Sequence, residues 1–229
     1  MDSEVYGKEY FEGIYARLKK EKESVLRAFL SLLLQEKKEI ERILDLGCGE
    51  GEFLKICEDR ELETVGIDVS SYALSEAQKK TKGKLLKLDL EKKQIPFPDD
   101  TFETVTCFDL VEHLRRVDLL FKEVKRVLKN GGVFFITTPN GDYLPKDFLG
   151  HFVMKDPTHV NLQGERYWLD KLKKAGFSKI KTKGCLLFGF PPSMGLRYFL
   201  KKLKIPVLIR PIFFPIRSLT SELFIFARK

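Results

Sequence analysis

The sequence has few cysteines and no long apolar run. The four cysteines stand apart without a CxxC pair, which excludes a disulfide framework or a zinc site of the usual spacing and is typical of a reducing cytoplasm. Residues 1–22 are charged throughout, so we expect no signal peptide. The apolar run at 26–34 is far shorter than the roughly 20 residues that a membrane span requires.

Asparagine and glutamine are also scarce, with 3 Asn and 4 Gln against 29 Lys and 20 Glu, a balance associated with thermophile proteins. The chain has 229 residues, of which 43% are hydrophobic and 32% charged, and this predicts one globular domain with a substantial core. The net charge of +8 permits an anionic partner but does not choose among nucleic acid, a membrane and an acidic metabolite.

The stretch 43–54, ILDLGCGEGEFL, predicts a strand, a glycine turn and the start of a helix. Alternating glycines let the backbone approach a ligand closely and admit positive φ, and here they are Gly47, Gly49 and Gly51. An ordinary strand-to-helix turn is the alternative, because a glycine triplet alone is weak support for a ligand site.

The charges of this turn indicate which ligand it would take. The run 43–54 has no Lys or Arg but contains three acids, Asp45, Glu50 and Glu52, which would repel the pyrophosphate that a dinucleotide turn binds. The spacing is also GxGxG rather than GxGxxG. A cationic ligand without phosphate therefore fits better.

Strands and helices alternate with short connections through the middle of the chain, which predicts a parallel sheet covered by helices. The strands are predicted at 41–46, 62–67, 84–88, 102–108, 133–137, 178–187 and 223–227. The predicted organisation is a single domain over 1–229, with a helical cap at 1–40, a core at 41–187 and a basic, apolar insertion at 188–220. Ligands of such sheets bind beyond the carboxyl ends of the strands, where Asp68, Asp89 and Asp109 follow three of them.

Two motifs carry a resemblance to the class I S-adenosylmethionine (SAM)-dependent methyltransferases, most closely the small-molecule group that includes ubiquinone-type O-methyltransferases. They are ILDLGCGEGEFL and, after the fourth strand, CFDLVEHL at 107–114. The second lacks the (D/N)PP(Y/F) tetrad of enzymes that methylate amino groups of nucleic acids. The resemblance covers about 40–180 and implies a Rossmann-like three-layer sandwich with a mostly parallel seven-stranded sheet whose last strand is antiparallel.

The resemblance implies S-adenosyl-L-methionine as cofactor and assigns it residues at four strand ends. Asp68 would accept hydrogen bonds from the ribose hydroxyls, Asp89 from the adenine amine, and Leu90 would meet the adenine ring. The implied cofactor-binding residues are Asp45, Gly47, Cys48, Gly49, Gly51, Asp68, Val69, Asp89, Leu90, Phe108 and Asp109. An N-terminal aromatic residue (Tyr6, Tyr10 or Phe11) would close over the cofactor or simply anchor a helix to the core.

Histidine suits a general base near neutral pH, and a hydroxyl acceptor needs one because it must lose a proton. The chain has three histidines, His113, His151 and His159. We predict His159 as the first substrate-side catalytic residue and His113 as the second, with structural, hydrogen-bonded histidines as the alternative.

The element Asp109-x-x-Glu112-His113 also resembles the metal-binding ExxEH of some O-methyltransferases, and His159 could add a ligand. However, Asp replaces the first Glu, and EH is common there in relatives without metal. We therefore predict no metal.

The insertion contains a basic amphipathic pattern at 196–204 and a proline-broken apolar stretch at 205–216. It is interpreted as a cap or dimer contact, as a lid for an apolar substrate, or as a peripheral membrane contact on anionic lipid. The oligomeric state does not follow from the sequence.

The predicted activity is methyl transfer to a small-molecule acceptor, with oxygen as the acceptor atom. RNA 2′-O-methylation is the enzymatic alternative, although no interleaving of aromatic and basic residues indicates a nucleic-acid track. A non-catalytic SAM-binding domain is the other alternative. A nicotinamide dehydrogenase would have to explain the acidic glycine turn.

Overall fold

The fold was analysed in a computed structural model that describes residues 5–11, 19–143, 158–187, 211–214 and 220–229. Apolar β-branched and aromatic runs form eight strands in one sheet. Their bounds are β1 Arg42–Leu46, β2 Glu63–Asp68, β3 Lys84–Lys87, β4 Phe102–Phe108, β5 Leu128–Pro139, β6 Ser178–Leu187, β7 Pro211–Phe214 and β8 Glu222–Arg228.

The strand order across the sheet is β3-β2-β1-β4-β5-β8-β6-β7. β1 to β5 pair in parallel, whereas β8 runs antiparallel between β5 and β6. The order therefore reverses at β1, and the carboxyl ends of β1, β2 and β4 open on one crevice where a ligand can bind.

Six helical segments accompany the sheet: α1 Lys8–Tyr10, α2 Lys19–Glu36, α3 Glu52–Glu58, α4 Ser71–Gln78, α5 Asp118–Val127 and α6 Glu165–Lys174. A single turn of 3-10 helix, Val111–His113, follows β4. α4 begins as its sequence predicts, because the Ser70 hydroxyl accepts a hydrogen bond from the Ala73 N–H at 3.1 Å.

Apolar side chains cover the sheet on both faces. Successive β5 residues alternate between the faces, with Phe134 in the core beneath α5 and α6 and Phe135 in the core beneath α2 and α3. Trp168 of α6 is fully buried in the first core and Phe29 of α2 lies in the second. The chain is thus a three-layer sandwich with the sheet in the middle.

This architecture confirms the predicted Rossmann-like, mostly parallel sheet with its antiparallel last strand. The seven predicted strands agree with the observed ones to within a few residues, except that β5 begins earlier and passes through an irregular stretch where Gly131 has φ of +73°. An eighth strand, β7, adds an edge that the prediction did not include.

Parts of the predictions lie outside the described residues. These are the amphipathic pattern at 196–204, most of 205–216, and His151. In the described part of the chain, no helix combines the length and the apolar character that crossing a membrane requires.

Candidate functional site

The glycine turn after β1 is fastened to the neighbouring strand. The main-chain N–H groups of Gly47 and Cys48 both donate to the Ile67 carbonyl of β2, at 2.8 and 3.1 Å. Gly47, Gly49 and Gly51 have φ of +73°, +52° and +79°, a region that L-residues with side chains rarely adopt. The backbone path of this turn thus explains the three glycines.

The three predicted glycines do not have the same surroundings. A Cβ at Gly49 would meet only the Phe11 ring, at 3.7 Å, so this main chain is open to close approach. A Cβ at Gly51 would lie 2.9 Å from Ala77 Cβ in α4. Gly51 therefore lets α3 and α4 pack together, and its predicted contact with a cofactor stays a prediction.

Asp68 connects the ends of β1 and β2. Its carboxylate accepts the Gly49 N–H at 2.9 Å on one oxygen and the Ser70 N–H at 2.8 Å on the other. Burial raises the pKa of Asp68 above its ordinary value, against the lowering effect of these main-chain hydrogen bonds. Val69, beside it, is half-buried.

The acidic character of the glycine turn is partly neutralised. The Lys80 ammonium lies 3.1 Å from a carboxylate oxygen of Glu50 and 3.1 Å from one of Glu52. Asp45 is buried and accepts a hydrogen bond from the Thr106 hydroxyl at 2.7 Å. The charge argument from the sequence is therefore weaker than it looked, because it did not include a lysine thirty residues away.

Cys48 is a buried thiol in the turn. Burial raises the pKa of Cys48 well above its ordinary value, and the negative charges of Asp68 and Asp45 add to this effect. The thiol thus stays protonated and is not a nucleophile at neutral pH.

The N-terminal segment 5–11 lies across this crevice. The Tyr6 carbonyl accepts a hydrogen bond from the Ser70 hydroxyl at 2.6 Å, and the Tyr6 hydroxyl lies 3.4 Å from His113 Nδ1. The Phe11 ring packs near Gly49 and Tyr72. The segment therefore spans from the end of β2 to the turn that follows β4.

Residues after β3 form a local turn. The Asp89 carboxylate accepts the Glu91 N–H at 3.0 Å and pairs with the Lys92 ammonium at 3.1 Å. The Leu90 side chain is buried in the core. This arrangement is that of a loop carboxylate, and the predicted adenine contacts of Asp89 and Leu90 stay predictions.

The end of β4 combines packing with an unusual backbone. The Phe108 ring packs against the Phe29, Phe53 and Phe135 rings, with centroids 4.9 to 5.1 Å apart. Asp109 has φ of +49°, and its carboxylate accepts a hydrogen bond from the Thr137 hydroxyl at 2.9 Å. A non-glycine residue in this region is strained, and such strain concentrates at functional sites.

The 3-10 turn places Glu112 and His113 beside the segment 158–161. Buried Glu112 accepts the Thr138 hydroxyl at 3.1 Å on its carboxylate and the Asn161 N–H at 2.9 Å on its carbonyl. His113 is also buried, and its Nδ1 lies 2.9 Å from the Thr158 hydroxyl and 3.2 Å from the Thr158 carbonyl.

The structure brings together the two histidines that the sequence predicts as a catalytic pair. The rings of His113 and His159 have their centroids 4.8 Å apart, although 46 residues separate them. One ligand atom each of Glu112, His113 and His159 lies within 4.8 Å of the others. Two imidazoles and a carboxylate suit a divalent transition metal, but Asp109 is not part of this group, and the predicted absence of metal stays a prediction.

Three residues near this pair carry no signal that sequence reasoning used: Thr158, Asn161 and Glu222. Glu222 opens β8, where it is buried opposite Pro139 of β5. Burial raises its pKa well above the ordinary value, and the charges of Asp109 and Glu112 add to this. An acid at the start of an otherwise apolar strand is the signal that could have identified Glu222.

Comparisons with known proteins agree with this geometry. A family model described as a methyltransferase domain matches residues 18–182. The uncharacterised methyltransferase YcgJ of Bacillus subtilis is 31% identical over 56% of this chain and 53% of its own length. The ubiquinone biosynthesis O-methyltransferase of Pelagibacter ubique is 31% identical over 43% of this chain and 42% of its own.

A crystal structure of a SAM-dependent methyltransferase from Archaeoglobus fulgidus has the same fold, with a TM-score of 0.68 and 23% identity over 94% of this chain and all of that chain. The chain spans about half the length of the curated relatives it matches.

Proposed function

Because this chain belongs to the methyltransferase-domain family, we propose that it is a SAM-dependent methyltransferase that methylates a small-molecule acceptor on oxygen. One observation carries the proposal. The glycine turn with Asp68 and the pair His113–His159 lie beyond carboxyl ends of parallel strands at the same edge of the sheet.

The residues of the crevice fit the cofactor of this family. Each Asp68 oxygen accepts one main-chain N–H and has a second lone pair, so the carboxylate can also accept from two ribose hydroxyls. The open main chain at Gly49 would hold the methionine part, and Asp89 with Leu90 would hold adenine. When bound, SAM supplies a methyl group on a positively charged sulfur.

Charge complementarity supports a cationic cofactor through other residues than the sequence indicated. Since Lys80 pairs with Glu50 and Glu52, the buried acids Asp45 and Asp68 are the ones that remain to complement a sulfonium and an ammonium. Both carboxylates are near the glycine turn in sequence or through a hydrogen bond.

The acceptor would lie between the histidine pair and the segment 158–161. The protein's task in methyl transfer is to hold the nucleophile in line and to remove its proton when the acceptor is a hydroxyl. Imidazoles suit the second task. Among the described residues, the buried Asn161 side-chain nitrogen has no hydrogen-bond partner, which suits a donor kept for a polar acceptor.

The decisive experiment separates cofactor from acceptor. Calorimetry with SAM and with NAD tests the crevice, and we expect binding of SAM alone. Transfer of a tritiated methyl group from SAM into fractionated lysate then tests the acceptor, and we expect label in the small-molecule pool. Label in the RNA pool would support 2′-O-methylation instead, and SAM binding without any transfer would support a non-catalytic domain.

The stretch 196–216 carries the remaining part of the proposal, a peripheral contact of this cytoplasmic enzyme with anionic membranes that would present an apolar acceptor. Co-sedimentation with anionic vesicles at low salt tests it. If the protein stays in the supernatant, the contact is excluded while the methyltransferase proposal is unaffected.

A further inference from the structure

The His113 ring is held at one nitrogen by a single residue, Thr158. Nδ1 of His113 lies 3.2 Å from the Thr158 carbonyl oxygen and 2.9 Å from the Thr158 hydroxyl. A carbonyl oxygen only accepts hydrogen bonds, and an unprotonated ring nitrogen also only accepts. The carbonyl contact is therefore favourable only when Nδ1 carries the proton.

The other neighbours of Nδ1 agree with this tautomer. The hydroxyls of Thr158 and Tyr6, at 2.9 and 3.4 Å, can each donate or accept, so neither opposes a proton on Nδ1. The Thr158 carbonyl alone discriminates between the tautomers. Neutral His113 consequently has its lone pair on Nε2, the nitrogen that a proton acceptor would use.

The two chain segments that meet at His113 are fixed relative to each other. The Asn161 N–H donates to the Glu112 carbonyl at 2.9 Å, three residues beyond Thr158. Within the turn, the His113 N–H donates to the Leu110 carbonyl at 2.9 Å, and Val111 is fully buried. This two-point attachment keeps the Thr158 carbonyl at His113, as a pre-oriented imidazole requires.

We infer that Thr158 is a positioning residue that fixes the tautomer of His113, so that Nε2 of His113 accepts the proton of the acceptor hydroxyl. The inference rests on the proposed function and names the proton acceptor within it. The hydroxyl proton passes to Nε2. The oxygen uses its electron pair to form the bond to the methyl carbon, and the electrons of the broken methyl–sulfur bond stay on sulfur.

The inference reverses the order predicted from the sequence, in which His159 came first. His159 is half-buried and its ring stands 4.8 Å from that of His113, so it borders the acceptor without the same orienting contact to Thr158. The imidazolium formed on His113 keeps its Nδ1–H bond to Thr158, which stabilises the charge during transfer.

The tautomer can be observed directly. In protein labelled with 15N in its histidine rings and freed of metal with EDTA, the chain's three histidines are assigned by substituting His151 and His159 with Gln. Above neutral pH we expect His113 to carry its proton on Nδ1 and to show an unprotonated Nε2. A proton on Nε2 would overturn the inference.

Paired substitutions separate chemistry from structure. His113→Asn keeps a donor near the position of Nδ1, whereas His113→Gln places its amide near Nε2. We expect His113→Asn to keep the melting temperature and the SAM affinity while methyl transfer into the small-molecule pool falls about a hundredfold or more. His113→Gln should lose both transfer and some thermal stability.

The matched control is His159→Gln, which should retain transfer comparable to that of the unaltered protein. Retained transfer in His113→Asn, or loss in His159→Gln alone, would overturn the inference. A protein that binds no SAM would instead contradict the proposed function, and the 15N spectrum would still report the tautomer.

Discussion

The Gly49 N–H donates to the Asp68 carboxylate at 2.9 Å, so the glycine turn after β1 is joined to the residue that ends β2. The second carboxylate oxygen accepts from the Ser70 N–H at 2.8 Å. One buried side chain thus fixes the backbone of two strand ends and still has lone pairs for a ligand. This double use makes Asp68 the most informative position in the cofactor crevice.

Asp68→Asn should weaken SAM binding by about tenfold to a hundredfold, since hydrogen bonds to a charged group contribute about 1.5–3 kcal/mol. The amide also turns an NH2 group toward one of the two main-chain donors. Calorimetric titration with SAM measures the change. The control is Glu63→Gln, at the exposed start of the same strand, which should bind SAM normally. Unchanged affinity in a folded Asp68→Asn protein would remove Asp68 from the site.

SAM affinity should fall on acidification at a higher pH than an ordinary aspartate would cause. Burial raises the pKa of Asp68 in the protein alone, and ribose hydroxyls bind the ionised form, so binding releases a proton when the pH is below that pKa. Well below it, affinity declines by up to about tenfold per pH unit. The Cys48 thiol faces the same carboxylate but stays neutral throughout.

Calorimetry in buffers of different ionisation enthalpy measures the released proton. Asp68→Asn should abolish both the release and the pH dependence. If the dependence persists in that variant, another group is responsible.

Local patterns of the sequence determined much of this fold. The apolar run 43–46 followed by alternating glycines predicted β1, its turn and α3, because strand periodicity and positive φ are properties of consecutive residues. Ser70 as the N-cap of α4 was equally local. The strand ends then placed Asp68 and Asp109 at one edge of the sheet by topology alone.

Contacts between distant residues could not be obtained in this way. The pairing of Lys80 with Glu50 and Glu52 depends on how α4 packs beside the glycine turn. Burial of Glu222 depends on the insertion of β8 between β5 and β6. Neither relationship has a periodic signal, because each joins elements whose relative placement only the complete sheet defines.

Lys80→Met should lower the free energy of unfolding by about 0.5–1 kcal/mol, the scale of partly exposed ion pairs. Without the ammonium, the Glu50 and Glu52 carboxylates face each other uncompensated. Urea denaturation measures the change, and high salt should reduce it. Lys79→Met is the control, because Lys79 is exposed and pairs with Glu76 alone. Equal effects of the two substitutions would show that the double pairing adds nothing.

Gly51→Ala should be far more destabilising than Gly131→Ala, although the two glycines have nearly the same φ, +79° and +73°. The shared backbone strain costs about 1–2 kcal/mol in each. At Gly51 the new Cβ would also lie 2.9 Å from Ala77 Cβ and 3.2 Å from Ala77 Cα, and overpacking adds about 1–3 kcal/mol. At Gly131 no described atom lies within 4 Å of that position.

The difference between the two free energies of unfolding, measured by urea denaturation, thus isolates the packing of α4 against the glycine turn. Equal losses in the two variants would mean that Gly51 is required for its backbone conformation alone. A larger loss at Gly51 would mean that α4 packs directly on the turn, so the cofactor crevice and the helix after Asp68 form one rigid unit.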